Sequence, residues 1–171
     1  MIVVLKVFAN ITYQKANEVN MKHSRGRKIY IALSSISVAT VAIIIFFLSA
    51  QTATESNGTS DSLINLIFSF FGKSPNENLI RTLAHFCEFA GFGFLVANLI
   101  FSINNTKKTV LSTLLSFAYA ITDEIHQIFV PGRAFQLIDL TVDLSGIIFG
   151  VVVFGILIMM KDRAQNSKCK V

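Results

Sequence analysis

Long apolar runs alternate with short polar segments along the chain, and the runs are long enough to cross a lipid bilayer. A helix of about 20 apolar residues spans the ~30 Å hydrocarbon core of a membrane. A soluble bundle would need a polar face on each helix, whereas residues 146–160 carry no charge on any face. The pattern predicts an all-α membrane protein, a four-transmembrane-helix bundle. Its spans are expected at about 29–50, 79–101, 109–130 and 136–160.

Two further segments have weaker patterns. Residues 62–71, "SLINLIFSFF", are too short to cross a bilayer and lie between Asp61 and Gly72, which are typical of helix ends. They predict a short interfacial helix between the first two spans. Residues 1–20 are weakly amphipathic, and the sequence leaves open whether they form a surface helix or precede a true start at Met21. The first span resembles a signal peptide, but it is too long and lacks a small-x-small cleavage site, so we expect an uncleaved anchor.

Composition supports a membrane protein, and the charge pattern orients it. Hydrophobic residues make up 53% of the chain and charged residues 15%, against about 25% charged residues in soluble domains. Only Lys73, Arg81 and Arg133 are basic on one side of the expected membrane. The other side carries Lys6, Lys15, Lys22, Arg25, Arg27, Lys28, Lys107, Lys108, Lys161, Arg163, Lys168 and Lys170.

The strongly basic side is expected to be cytoplasmic, because short loops rich in Lys and Arg stay inside the cell. Residues 1–28 then form a cytoplasmic N-terminal extension, residues 29–160 the transmembrane domain and residues 161–171 a cytoplasmic tail. Membrane lipid is therefore the expected partner of the basic residues. Nucleic acid is not expected as a partner.

The polar residues within the spans all fall at the end that this orientation places outside the cytoplasm. Residues three, four or seven apart share one face of a helix, so each span presents one polar edge. Gly146 and Gly150, which follow the polar edge of the last span, allow a neighbouring helix to approach closely. We expect a pocket lined by Ser49, Gln51, Arg81, His85, Glu88, Asp123, Glu124, Gln127, Arg133, Asp139 and Asp143.

This expected pocket carries more negative than positive charge. Its two arginines face five carboxylates, which leaves three negative charges unpaired while the histidines are neutral. A charged group inside a membrane costs a few kcal/mol, so these groups must pair, bind a cation or a cationic ligand, or meet water. A divalent cation is one possibility, and the weak candidate ligands are His85, Glu88, Asp123 and Asp143. The alternative is an ion network that only fixes helix packing.

Three stretches resemble the VanZ-like family. They are "LSAQ" after the first span, "AHFCEFAGFG" in the second, and "DEIHQIFVPGRAFQLIDLTVDLSGIIFG" across the last two. The family pattern has Ser-x-Gln, His-Phe-x-Glu-Tyr, and Asp-Glu-x-x-Gln with Pro-Gly-Arg and two spaced aspartates before glycines. Phe89 stands where the family commonly has tyrosine. The resemblance covers residues 29–160 and implies a bacterial multi-pass membrane protein associated with resistance to glycopeptides such as teicoplanin.

Two classes of function remain open. The pocket could bind or modulate a cell-envelope component, such as a lipid-linked cell-wall precursor or a glycopeptide, with Arg81 and Arg133 holding phosphate or carboxylate. Alternatively, a membrane-embedded hydrolase or transferase, with or without a metal ion, could act on a lipid-linked substrate. No complete metalloenzyme motif is present. A channel is disfavoured, because the inner half of the spans is almost wholly apolar.

Overall fold

The computed structural model describes residues 25–51 and 77–168, and this part of the chain folds into four helices. Helix α1 spans Arg25–Ser49, α2 spans Glu77–Asn104, α3 spans Thr109–Gln127 and α4 spans Leu137–Lys168. The all-helical class predicted from the sequence is confirmed over these residues. The expected interfacial helix at 62–71 and the weakly patterned residues 1–20 lie outside them, whereas residues 25–28 of the expected extension at 1–28 form the start of α1.

Three of the four helices are long and apolar enough to cross a membrane. The qualifying stretches are Arg25–Ser49, Arg81–Asn104 and Leu137–Ala164. Helix α3 is shorter, with 19 residues, and its last two turns contain charged and amide side chains that lower its overall apolarity.

Residues with positive φ lie in the two connections that follow α2 and α3. Asn105, which follows α2, adopts a left-handed φ of 54°, a conformation that asparagine tolerates at helix ends. After α3, the Arg133 N–H donates to the Val130 carbonyl at 3.1 Å around Pro131 and Gly132. Gly132 has a φ of 79°, as position three of a type II turn requires. The Pro-Gly turn therefore directs the chain from α3 back into α4.

Helix α2 packs against each of the other three helices. The core includes Ile45, Phe89, Ala120 and Ile147, one side chain from each helix, and all four are at most 1% exposed. Large apolar side chains also point outward from every helix, as expected of surfaces that meet lipid rather than water.

Glycines bring the backbones of α2 and α4 into direct contact. A Cβ atom added to Gly146 would lie 2.5 Å from the Phe86 carbonyl oxygen, and one on Gly93 would lie 2.8 Å from the Ile147 carbonyl oxygen. A Cβ atom on Gly150 would overlap the Ala90 carbonyl group. The close helix approach expected from Gly146 and Gly150 is therefore present, and α2 is the partner.

Candidate functional site

One end of the helix bundle gathers polar side chains from all four helices. The group lies at the end of α1 and α3 and the start of α2 and α4. All of its members except Arg81 are buried. We call this group the polar cluster, and it comprises Ser49, Arg81, His85, Asp123, Glu124, Gln127, Asp139 and Asp143.

A chain of hydrogen bonds crosses the polar cluster from α1 to α4. The Ser49 hydroxyl donates to Asp123 Oδ2 at 2.7 Å, and Gln127 Nε2 donates to the same oxygen at 3.3 Å. Arg81 Nη2 donates to Gln127 Oε1 at 3.4 Å and to Asp139 Oδ2 at 2.7 Å. The Arg81–Asp139 contact is an ion pair, and Asp139 also lies in the first turn of α4, where the helix dipole favours a negative charge.

A second set of contacts joins α2, α3 and α4. His85 Nδ1 lies 3.1 Å from Asp143 Oδ1. Glu124 Oε2 accepts a hydrogen bond from the Gln136 backbone N–H at 3.1 Å, so this α3 carboxylate caps the start of α4. One ligand-capable atom each from His85, Glu124 and Asp143 lies within 4.8 Å of the other two. Glu88 and Asp123, the other candidate metal ligands from the sequence, are not part of this group.

Several buried polar atoms in and beside the cluster lack a hydrogen-bond partner among the described residues. They are carboxylate oxygens of Asp123, Glu124 and Asp143 and the Nε atoms of Arg81 and Arg133. A buried polar atom without a partner costs roughly 1–3 kcal/mol, and more when it is charged. These atoms are therefore the ones that a bound ligand or ion could satisfy.

Arg133 and Glu88 border the polar cluster and are both partly buried. Burial and the nearby Arg81 guanidinium lower the pKa of Arg133, whereas the carboxylates of Asp123, Asp139 and Glu88 oppose that shift. Arg133 therefore lies within electrostatic range of both the Arg81 guanidinium and the carboxylates of the cluster.

Gln51 and His126 lie at the margin of this region. Gln51 is partly buried in the bend after α1 and makes no hydrogen bond with another described side chain of the cluster. The His126 ring packs against Phe46 of α1, with ring centroids 4.3 Å apart. The His126 ring therefore lies against α1 and makes no hydrogen bond with the described side chains of the cluster.

A polar contact at the opposite end of the bundle was missed by the sequence reasoning, which treated that half as almost wholly apolar. The Tyr30 hydroxyl donates to Asn98 Oδ1 at 2.7 Å, and Asn98 Nδ2 donates to the Ser34 hydroxyl at 3.2 Å. Asn98 is 2% exposed. It is the only amide side chain in the apolar run 79–101. A single amide in such a run predicts an interhelical hydrogen bond, and this is the feature by which the sequence could have identified Asn98.

The fold and the cluster together define an integral membrane protein with membrane-length helices and a buried polar site at one end. The sequence model of the VanZ/LLP1 family matches residues 35–158, which is more than half of the chain. The protein therefore belongs to the VanZ/LLP1 family, and the resemblance noted from its motifs is confirmed. Neither the curated proteins nor the solved structures contain a match to this chain.

Proposed function

We propose that this VanZ-family membrane protein binds a polar group of a cell-envelope component at the polar cluster. One observation supports this most strongly. Buried carboxylates from α3 and α4 converge with the partly buried guanidinium groups of Arg81 and Arg133, and several of their atoms lack partners among the described residues. A group that only fixed helix packing would be expected to satisfy its own hydrogen bonds.

We further propose that α3 spans the membrane as well, in a bacterial cell membrane. Its apolar side chains Val110, Leu114 and Leu115 are 72%, 60% and 52% exposed, which suits contact with lipid.

The proposed orientation has the basic loops and both termini in the cytoplasm, so that the polar cluster lies on the extracytoplasmic side. Fusion of a fluorescent protein to the C terminus should give fluorescent cells, and fusion of alkaline phosphatase there should give no activity. The reverse result would contradict this orientation.

The proposed ligand is the head group of a lipid-linked cell-wall precursor. Its phosphates suit the guanidinium groups of Arg81 and Arg133, which bind such oxygens in pairs of hydrogen bonds. Its amines suit the excess carboxylates. Because glycopeptides act on the same precursors, occupancy of this site would change sensitivity to teicoplanin.

Direct binding tests this proposal. Purified protein in lipid nanodiscs is titrated with a fluorescent lipid-linked precursor, beside Arg133→Ala and Asp139→Asn. Each variant should bind roughly 10- to 100-fold more weakly, because a hydrogen bond to a charged group contributes about 1.5–3 kcal/mol. Arg163→Ala is the matched control, since Arg163 is exposed at the opposite end of α4. Equal binding by all four proteins would contradict the proposal.

A cellular experiment tests the consequence for antibiotics. A deletion strain is compared with its parent across envelope-targeting antibiotics, including teicoplanin, and is then complemented with the wild-type gene or with Asp123→Asn. We expect the wild-type gene to restore the parental sensitivity and the variant to fail. Restoration by the variant at equal expression would argue against a role for the polar cluster.

The second candidate is a hydrolase or transferase that acts on a lipid-linked substrate. It is favoured by the His85–Asp143 pair, because a histidine oriented by a carboxylate is suited to general acid–base work. Release of phosphate or of a transferred group from the precursor, absent in His85→Gln, would support this candidate. Binding without any product would leave the first proposal in place.

A further inference from the structure

We propose that His85, Glu124 and Asp143 bind one divalent transition-metal ion, such as Zn²⁺ or Mn²⁺. The inference deepens the proposed function, because the three residues belong to the polar cluster. It replaces two of the candidate ligands from the sequence, Glu88 and Asp123, with Glu124.

The donor set is the first reason. One imidazole nitrogen and two carboxylate oxygens come from three different helices, and the three atoms lie within 4.8 Å of one another. It is the only such group of His, Cys, Asp and Glu within the described residues. Imidazole and carboxylate together suit first-row transition metals, whereas Mg²⁺ and Ca²⁺ prefer oxygen ligands throughout.

The free oxygens are the second and independent reason. The side chains of Glu124 and Asp143 are fully buried, and each has one oxygen oriented by a neighbour. The Gln136 N–H holds Glu124 Oε2, and His85 contacts Asp143 Oδ1. The second oxygens, Glu124 Oε1 and Asp143 Oδ2, have no hydrogen-bond partner among the described residues. A cation is the partner that would satisfy both.

The distances require only small side-chain movements. Zn²⁺ binds nitrogen and oxygen at about 2.0–2.2 Å, so two ligand atoms in a tetrahedral site are roughly 3.4 Å apart. The three ligand atoms already lie within 4.8 Å of one another. His85 Nδ1 and Asp143 Oδ1 are 3.1 Å apart, and a metal bound through these two atoms would replace the proton that they share. Direct backbone contact between α2 and α4 at Gly146 holds His85 and Asp143 in place.

The local charge also favours a cation. Arg81 is paired with Asp139, so its charge is already engaged at the other side of the cluster. Within the described part of the chain, no lysine or arginine side chain is bonded to the carboxylates of Glu124 and Asp143. The one pair there joins His85 to Asp143, and both are proposed ligands. Three protein ligands would leave an open position on the metal, and a phosphate oxygen of a head group or a water molecule can fill it.

Metal binding by the purified protein tests the proposal without any precursor. Detergent-solubilised wild type is stripped with chelator and titrated with Zn²⁺ against a chromogenic chelator, and bound metal is counted by elemental analysis. We expect one Zn²⁺ per chain. Glu124→Gln and Asp143→Asn should weaken binding by at least ~100-fold, since loss of even an outer-shell partner costs 10–100-fold.

Two matched controls carry the same chemical changes at carboxylates outside the polar cluster. Glu88→Gln removes a partly buried carboxylate one turn after His85, and Asp162→Asn removes an exposed one near the other end of α4. Both should bind Zn²⁺ with an affinity within about threefold of wild type, because their oxygens lie outside the group.

X-ray absorption at the zinc edge should show one imidazole ligand and oxygen ligands. This measurement uses only the wild-type protein, so it does not depend on the folding of any variant.

Three results would overturn the proposal. They are sub-stoichiometric Zn²⁺ in the wild type, wild-type affinity in both Glu124→Gln and Asp143→Asn, and a zinc spectrum without imidazole. Failure here is separable from failure of the proposed function, because precursor binding is measured separately in metal-free protein. A protein that binds precursor but no metal would refute only the metal site.

Discussion

Gly146→Ala tests whether the contact between α2 and α4 positions the polar cluster. The added Cβ atom would lie 2.5 Å from the Phe86 carbonyl oxygen, whereas ordinary contact begins at 3.4 Å. The clashing atom belongs to the backbone, so rotation of a side chain cannot relieve the overlap. Helices α2 and α4 must instead separate by about 1 Å. His85 and Asp143, 3.1 Å apart across the same helix pair, would then exceed hydrogen-bond distance.

The expected cost follows from a matched comparison with Gly155→Ala on the same helix. A Cβ atom at Gly155 meets nothing within 4 Å. Both variants gain the ~1 kcal/mol helix preference of alanine over glycine. The difference between their free energies of unfolding therefore measures the cost of the steric clash at Gly146. Overpacking costs typically ~1–3 kcal/mol, and Gly146→Ala should be less stable than Gly155→Ala by that amount.

The assay is the free energy of unfolding in mild detergent, titrated with SDS and followed by circular dichroism, since the chain has no tryptophan. Equal stability of the two alanine variants would refute the reasoning. It would mean that the backbones of α2 and α4 are not in contact at Gly146.

The same unfolding assay checks predictions for four further variants. Asn98→Leu removes two interhelical hydrogen bonds and should cost about 1 kcal/mol, because such bonds in membrane proteins average roughly 0.6 kcal/mol each. Tyr30→Phe removes one of the two and should cost less, and full stability of both variants would contradict a role for the contact. Ser49→Ala removes a 2.7 Å bond to Asp123 and should cost about 1 kcal/mol. Ser37→Ala should be silent, since its hydroxyl bonds only within α1, and an equal effect of both serine variants would exclude the Asp123 contact as the cause.

The candidate site was partly predictable because depth and helix face follow from residue spacing. Arg81 and His85 are four apart, as are Asp139 and Asp143, so each pair shares a face. The orientation of alternating spans then places their polar ends at one level. Glu124 is one residue from Asp123 and so points about 100° away around α3. Residue spacing alone does not predict which neighbouring helix the Glu124 side chain contacts.

The choice between Glu88 and Glu124 shows where the sequence reasoning stopped. Glu88 is three residues from His85, which is a plausible ligand spacing on one helix, and the sequence therefore favoured it. In the structure, the oxygen that reaches His85 and Asp143 comes from Glu124 on α3. Contacts between helices depend on their packing and rotation, and these are set by side chains such as Phe89 and by glycines on facing helices.

By itself the sequence determined the helical class, the membrane-length runs, the family and the residues that carry charge into the apolar region. These follow from local periodicity and from the energetic cost of burying charge in lipid. Only the tertiary structure decided that Arg81 pairs with Asp139, that Ser49 reaches Asp123, and that Asn98 links α1 to α2 away from the cluster. Such pairings depend on ångström-scale approach between helices distant in sequence, which no local pattern encodes.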